Sequence, residues 1–267
     1  MMKITSAANP KIKRAAKFKN RKMRDQTGLT VIDGFREVLR AREAGLFFEE
    51  LYVCPELLEK FGGQRAVDLV ASWGIEICEV SIPVFEKICF GDRKEGIVAV
   101  ARAKKFLLDA TALPENPLVV VLENVEKPGN LGAVLRSCDG AGVNAVIIAD
   151  TGADILNPNV IRASTGTVFS MNVMQATPLQ VRDFLKANRI AIAAAVPQGQ
   201  QTYFLTDFKG PVAFVLGAED TGLSSLWLDS ADVRVTIPML GKADSLNVSN
   251  TAAILIYEAL RQRKVGI

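Results

Sequence analysis

The chain has 267 residues, 49% hydrophobic and 23% charged, the balance of a folded protein with length for two modest domains. It contains no histidine, which excludes a Ser-His-Asp or Cys-His catalytic unit, imidazole base chemistry and any His-containing metal site. The four cysteines (Cys54, Cys78, Cys89 and Cys138) form no C-x-x-C pair, so neither a disulfide framework nor a metal cluster is signalled. No apolar run approaches the roughly 18 residues of a membrane span, and the Met-Met-Lys-Ile-Thr-Ser start lacks the apolar stretch of a signal peptide. A cytoplasmic chain with no membrane and no metal is expected.

The formal charge of +3 conceals an asymmetry: residues 1–24 carry nine basic side chains and no acidic one, leaving 23 basic against 29 acidic in the remainder. A basic arm of this kind suggests a grip on phosphate, with a solvated, frayed terminus as the alternative. From Leu29 to about Arg102, short Val- and Ile-rich runs predict strands at Leu29–Ile32, Leu51–Cys54, Ile75–Val80 and Ile97–Ala101. Helical patterns fall at Phe35–Ala44, which Gly45 stops, and at Arg65–Trp73, giving a small α/β unit over residues 1–104. Residues 105–117 carry two prolines and a short apolar patch, the pattern of a linker that partly docks. From residue 118 to 267 the grammar changes. Leu118–Leu122, Ala145–Ala149, Ile190–Ala195 and Val212–Leu216 are uniformly apolar, which predicts a parallel sheet covered on both faces. Val233, Val235 and Ile237 form a more exposed last strand, and Asn247–Arg263 a closing helix.

Gly140-Ala-Gly-Val-Asn-Ala145 fits a dinucleotide fingerprint as a string, but it ends a helix and precedes a strand, the reverse of what that site needs. A nucleotide-dependent oxidoreductase is therefore set aside. Three loops remain, each placed after a strand of the second domain, where ligands of open α/β sheets gather. The first runs Glu123–Arg136: Pro128 and Gly129 turn the chain, Asn130 suits a helix cap, and Leu131, Val134, Leu135 and Cys138 form a buried stripe. Gly132, Arg136 and Gly140 share another face, where a long cation beside two bare positions suits a phosphate backbone. In the second, Gly217 and Gly222 permit a tight loop around Glu219. The third, Ile237–Asn250, clusters Ser245, Asn247 and Ser249 at the start of the last helix, where bare amides are available or where Ser and Asn simply cap.

In order and spacing, the stretches PGNLGAVLRSCDGAG, VLGAEDTGLS and IPMLGKADSLNVSNTAAILIYEALRQR resemble the three signature motifs of the SpoU (TrmH-type) RNA ribose methyltransferases of the SPOUT class. DILNPNVIRASTGTVF and TVIDGFREVLRA are similar to further family features, so the resemblance runs over nearly the whole chain. It implies an α/β fold: a C-terminal parallel-sheet SPOUT domain closed by a trefoil knot, and a small N-terminal ribosomal-protein-like RNA-binding domain. It implies S-adenosylmethionine as cofactor, held by Gly217, Ile237 and Leu246 with Leu216 and Met239 beside them. Arg136 matches the family's catalytic arginine, Asn130 the first-motif asparagine, Glu219 the second-motif acid, and Ser245 and Asn247 the third-motif polar pair. Homodimers are typical of the family, and rRNA is favoured over tRNA as substrate.

A sulfonium methyl donor needs neither metal nor covalent nucleophile, so a histidine-free site is compatible with methyl transfer to a ribose 2′-hydroxyl. Arginine is a very poor base, its pKa staying above about 12, so Arg136 is read as a phosphate clamp and oxyanion stabiliser, with Glu219 the second candidate for handling the proton. The alternatives are a tRNA 2′-O-methyltransferase, or a non-catalytic RNA-binding or ribosome-assembly protein that keeps the fold.

Overall fold

In a computed structural model, which describes residues 2–91, 94–109 and 113–263, the apolar runs assemble into two separate sheets. The chain divides into two units, Met1–Lys105 with Asp154–Ser170, and Phe106–Ala153 with Met171–Ile267.

In chain order the first unit comprises β1 (Met2–Ile4), α1 (Pro10–Lys17), α2 (Arg21–Thr27), β2 (Leu29–Asp33), α3 (Phe35–Glu43), β3 (Phe48–Val53), α4 (Pro55–Ala71), β4 (Ile77–Val80), α5 (Ile82–Ile88) and β5 (Ile97–Arg102). The strands lie in the order β1-β4-β3-β5-β2, with β5 antiparallel to both neighbours and the other pairs parallel. The basic segment is no frayed arm. Ile4, Ile12, Ala15 and Phe18 are buried with Tyr52, Phe85, Val98 and Val100 in one core cluster, while the lysines of α1 stand outside. Asn9 and Asn20 cap α1 and α2 by accepting from the amides of Lys11 and Lys22, and Gly28, at φ 67°, closes α2 in the left-handed conformation. Helix α4 starts ten residues before the predicted Arg65 because Gly63, at φ 67°, kinks one helical stretch into the next without ending it.

The second unit runs β6 (Leu118–Leu122), α6 (Pro128–Ala141) and β7 (Ala145–Ile148). The excursion Asp154–Ser170 then adds α7 (Pro158–Ala163) and α8 (Thr167–Ser170) to the first unit. The second unit resumes with β8 (Val173–Gln175), α9 (Pro178–Ala187), β9 (Ala191–Ala195), β10 (Gln201–Thr202), β11 (Val212–Leu216), α10 (Ser225–Ser230), β12 (Val233–Thr236) and α11 (Val248–Arg263). Its seven strands are all parallel, in the order β10-β12-β9-β11-β6-β7-β8. Both faces are covered, as the apolar runs require: Val119, Val121, Ala213 and Val215 pack with Val181, Leu185 and Trp227 from α9 and α10, and α11 packs on α6 and β11. Leu108 and Leu113, from the segment after β5, pack against the same core; residues 110–112 lie outside the described residues. Parallel strands bring the loops after β6, β9, β11 and β12 to one edge of the sheet.

Within the first unit the excursion is fastened by side chains. Arg40 donates to both the carbonyl and the hydroxyl of Thr165 at 2.8 Å, Arg162 donates to the Phe90 carbonyl, and Arg24 pairs with Asp154. Gly166, at φ 83°, lies so close to α3 that a Cβ would approach the Glu37 Cα to 3.0 Å. Nearby, Asp33 is buried. Its carboxylate accepts from the Phe90 amide at 2.6 Å, but loss of water pushes its pKa up to about 7.

Candidate active site

Glu123, at the end of β6, is buried, and its two carboxylate oxygens accept from the amide and the hydroxyl of Ser224, both at 2.8 Å. The Glu123 amide donates to the Leu216 carbonyl at 2.9 Å, so the loop from Gly217 to Leu223 is fastened at both ends. Inside that loop the Gly222 amide returns to the Ala218 carbonyl at 2.9 Å. A Cβ on Gly217 would collide with the Gly222 carbonyl, so only glycine fits there; Gly222 itself has φ 67° and open space around it.

Glu219, presented by this loop, ties the three motifs together. One carboxylate oxygen accepts from the Lys127 ammonium at 2.5 Å. The other accepts from the side-chain amides of Asn130 at 3.0 Å and Asn247 at 2.5 Å. The Asn247 amide also reaches the Asn130 carbonyl oxygen at 3.2 Å. The Lys127 ammonium, with help from Asn130 and the Val248 amide, holds the Glu219 carboxyl below its ordinary pKa, and Glu219 in turn raises that of Lys127. An ionised, donor-saturated carboxylate anchors its neighbours and is a weak proton acceptor. That weighs against Glu219 as the base.

Asn130 is not the cap that the sequence suggests. Helix α6 begins at Pro128 after Lys127, which frees the Asn130 side chain, in the first turn, to cross to Glu219. Asn247 does act at a helix start, accepting from the Ser249 amide at 3.0 Å and hydroxyl at 2.6 Å.

Beside the network lies a cleft of about 720 Å³, counting the solvent at its mouth. Leu216, Gly217, Ile237, Met239 and Leu246 all line it, as do Glu219 and Ser245. Its walls are mainly apolar side chains and backbone, a lining suited to a flat heterocycle with a polar tail. Arg136 stands apart. It is exposed on α6, off the buried stripe of Leu131, Val134, Leu135 and Cys138, makes no hydrogen bond or ion pair among the described residues, and does not line the cleft. Of the two glycines sharing its face, Gly132 is buried and Gly140 meets the Tyr257 hydroxyl of α11, so that face is only partly open.

Sequence reasoning missed three contributors. Lys127 precedes Pro128 on the first loop, and its charge beside an acid-bearing motif was the available signal. Val196 and Pro197 enter the cleft from the loop after β9, which the strand-end rule already pointed to. Among the described residues no cluster of His, Cys, Asp and Glu could hold a metal ion, and no helix is long and apolar enough to cross a membrane.

Residues 117–257 match the SpoU rRNA Methylase family, and residues 9–99 match the MRM3-like substrate binding domain. The chain is similar to a 23S rRNA (uridine(2479)-2′-O)-methyltransferase of Streptomyces viridochromogenes, 30% identical over 262 residues that cover 92% of this chain and 88% of the relative. A crystal structure of an RNA 2′-O ribose methyltransferase shares 41% identity, with a TM-score of 0.85 over 98% of this chain and 99% of that one. The SpoU methyltransferase AviRb from Streptomyces viridochromogenes, in complex with the cofactor AdoMet, superposes with a TM-score of 0.87 at 30% identity, over 97% of this chain and 100% of its own.

Proposed function

Because the chain belongs to the SpoU rRNA methylase family, we propose that it methylates a ribose 2′-hydroxyl of ribosomal RNA, with S-adenosylmethionine as methyl donor. The observation that carries this reading is the convergence of the loops after β9, β11 and β12 on one cleft, with Asn130 of the first loop and Asn247 bonded to Glu219 at its side. The apolar cleft fits the donor: Leu216, Gly217, Ile237, Met239 and Leu246 would hold it, and the bare backbone at Gly217 admits a close ligand. Bound there, S-adenosylmethionine supplies a methyl group already activated by its sulfonium.

The chain's own residues supply position and charge. Glu219 fixes the amides of Asn130 and Asn247 and the Lys127 ammonium, so these donors are oriented before RNA arrives. Ser245, exposed on the cleft wall with its hydroxyl uncommitted among the described residues, is available to the ribose or the donor. Arg136 is free to take an RNA phosphate with two parallel bonds and to steady the charge that grows on the ribose oxygen. The likeness to the family also supports residues 1–104 as the RNA-recognition domain, residues 105–117 as a linker and residues 118–267 as the methyltransferase domain. A trefoil knot formed by the segment after β12, a homodimer and a cytoplasmic setting belong to the same reading. The exposed Phe204, Leu205, Leu240 and Tyr257, all on the second unit, offer the apolar surface a second copy would cover.

Mapping of 2′-O-methyl groups in RNA from cells with and without the gene tests the reading. Loss of one ribose methyl from large-subunit rRNA is expected. A methyl lost from tRNA instead would redirect the substrate, and no loss from any RNA would refute the activity.

A further inference from the structure

Three of the cations in residues 1–24 stand beside a groove that the methyl-transfer site does not use. About 840 Å³ in extent, with solvent counted, it runs along α1 and is lined by Pro10, Lys13, Arg14, Lys17, Phe18 and Met23. No acidic side chain lines it among the described residues, and the ammonium groups of Lys13 and Lys17 make no ion pair there. Arg14 lies over the Phe18 ring, 5.9 Å from its centroid, and its guanidinium is 3.3 Å from Glu49. The other carboxylate oxygen of Glu49 is 3.5 Å from Arg102, whose guanidinium stacks on Phe47 at 4.6 Å. Glu49 thus couples the groove to an aromatic–guanidinium pair that faces solvent: Phe47 is 59% exposed and the Arg102 side chain 67%.

We propose that this surface is a track for single-stranded RNA, phosphates lying along Lys13 and Lys17 and an unpaired base stacking on Phe47 and Arg102. The proposal rests on RNA being the substrate, and adds which strand state is gripped and by which side chains. Cations in a groove supply the phosphate attraction common to any nucleic acid. An exposed aromatic ring adds something only where a base face is free, which a duplex denies it. A protein partner would favour broader apolar area and fewer unpaired lysines at its centre.

Fluorescence anisotropy on the full chain, with a labelled oligouridylate and a blunt RNA duplex of equal length, tests the track. Phe47→Ala should weaken oligouridylate binding about tenfold and leave the duplex unchanged, and Phe47→Trp should restore it. Lys13→Gln with Lys17→Gln should lower the slope of log affinity against log salt by about 1.4, the release expected for two phosphates on a single strand. Both sites are exposed, so circular dichroism should report an unchanged fold. Undiminished oligouridylate binding by Phe47→Ala, or equal losses for single strand and duplex, overturns the track while leaving the methyl-transfer reading intact. A wild-type chain that binds neither RNA also overturns the track, while the methyl-transfer reading stands or falls on the mapping of ribose methyl groups.

Discussion

Glu123→Ala tests whether the cleft is held open by a tether outside it. The side chain is 2% exposed and gives both oxygens to Ser224 at 2.8 Å, so truncation removes two charge-assisted hydrogen bonds at once. Bonds to charged groups contribute about 1.5–3 kcal/mol each. Ser224 is exposed at its outer edge, where water replaces part of the loss, and the burial cost of a carboxylate disappears with it. A net loss of about 2 kcal/mol follows, about thirtyfold in an equilibrium constant. That loss should fall on the loop Gly217–Leu223, so the binding-competent shape of the cleft becomes less populated and S-adenosylmethionine binds more weakly. Urea unfolding and isothermal calorimetry read the two effects separately. Glu123→Gln should cost less than about 1 kcal/mol, because its carbonyl serves the Ser224 amide while its NH₂ donates to a reversed hydroxyl. An alanine variant with wild-type stability and affinity, or a glutamine variant as damaged as alanine, would refute the reasoning.

Gly217→Ala places a Cβ on the Gly222 carbonyl and should abolish calorimetric cofactor binding, whereas Gly222→Ala meets only the strain of φ 67°, about 1 kcal/mol, and should bind nearly normally. Arg136→Ala should lower tritiated methyl transfer to RNA about 100-fold or more with cofactor affinity retained. Arg136→Lys should fail almost as badly, since lysine keeps the charge but loses the planar fork; near-wild-type turnover by both would remove Arg136 from the mechanism. At Asp33 the folded pKa of about 7 lies above the ordinary 3.8, so the group favours the fold below pH 3.8 and that contribution is lost as pH rises through about 7. Asp33→Asn should therefore match wild-type thermal stability near pH 4 and exceed it near pH 8, by up to about 4 kcal/mol; parallel pH profiles would show that Asp33 is not held neutral.

The second sheet was legible because its strands are buried on both faces. Leu118–Leu122 and Val212–Leu216 begin and end where the apolar runs do, and the loops beyond them carry the site. The network itself was only half legible. A sequence shows Asn130 beside a helix start, but whether it caps its own helix or crosses to Glu219 depends on where the second loop lies in space. The helix of the N-terminal segment went unread for a different reason: its charge hid a pattern that was present, Ile12, Ala15 and Phe18 three residues apart behind an Asn9–Pro10 start. β1 has only three residues and pairs with β4, more than seventy positions away, a partnership no local pattern announces.

The excursion Asp154–Ser170 bears on how such enzymes can be recombined. Because the polypeptide passes between the units at Lys105, at Ala153 and again at Ser170, the first unit is not a cassette that ends at a linker. A swap at residues 105–117 would bring in a foreign substrate domain and leave behind a host segment whose Val160, Ile161, Val168 and Phe169 have lost the surface that buries them. A fragment starting near residue 105 would carry the same orphaned apolar stretch. Chimaeras that transplant both pieces, joined at Lys105, Ala153 and Ser170, should stay dispersed in solution where single-junction hybrids precipitate. The first unit of this architecture is inherited as two interleaved strings, and substitutions in either must be accommodated by the other.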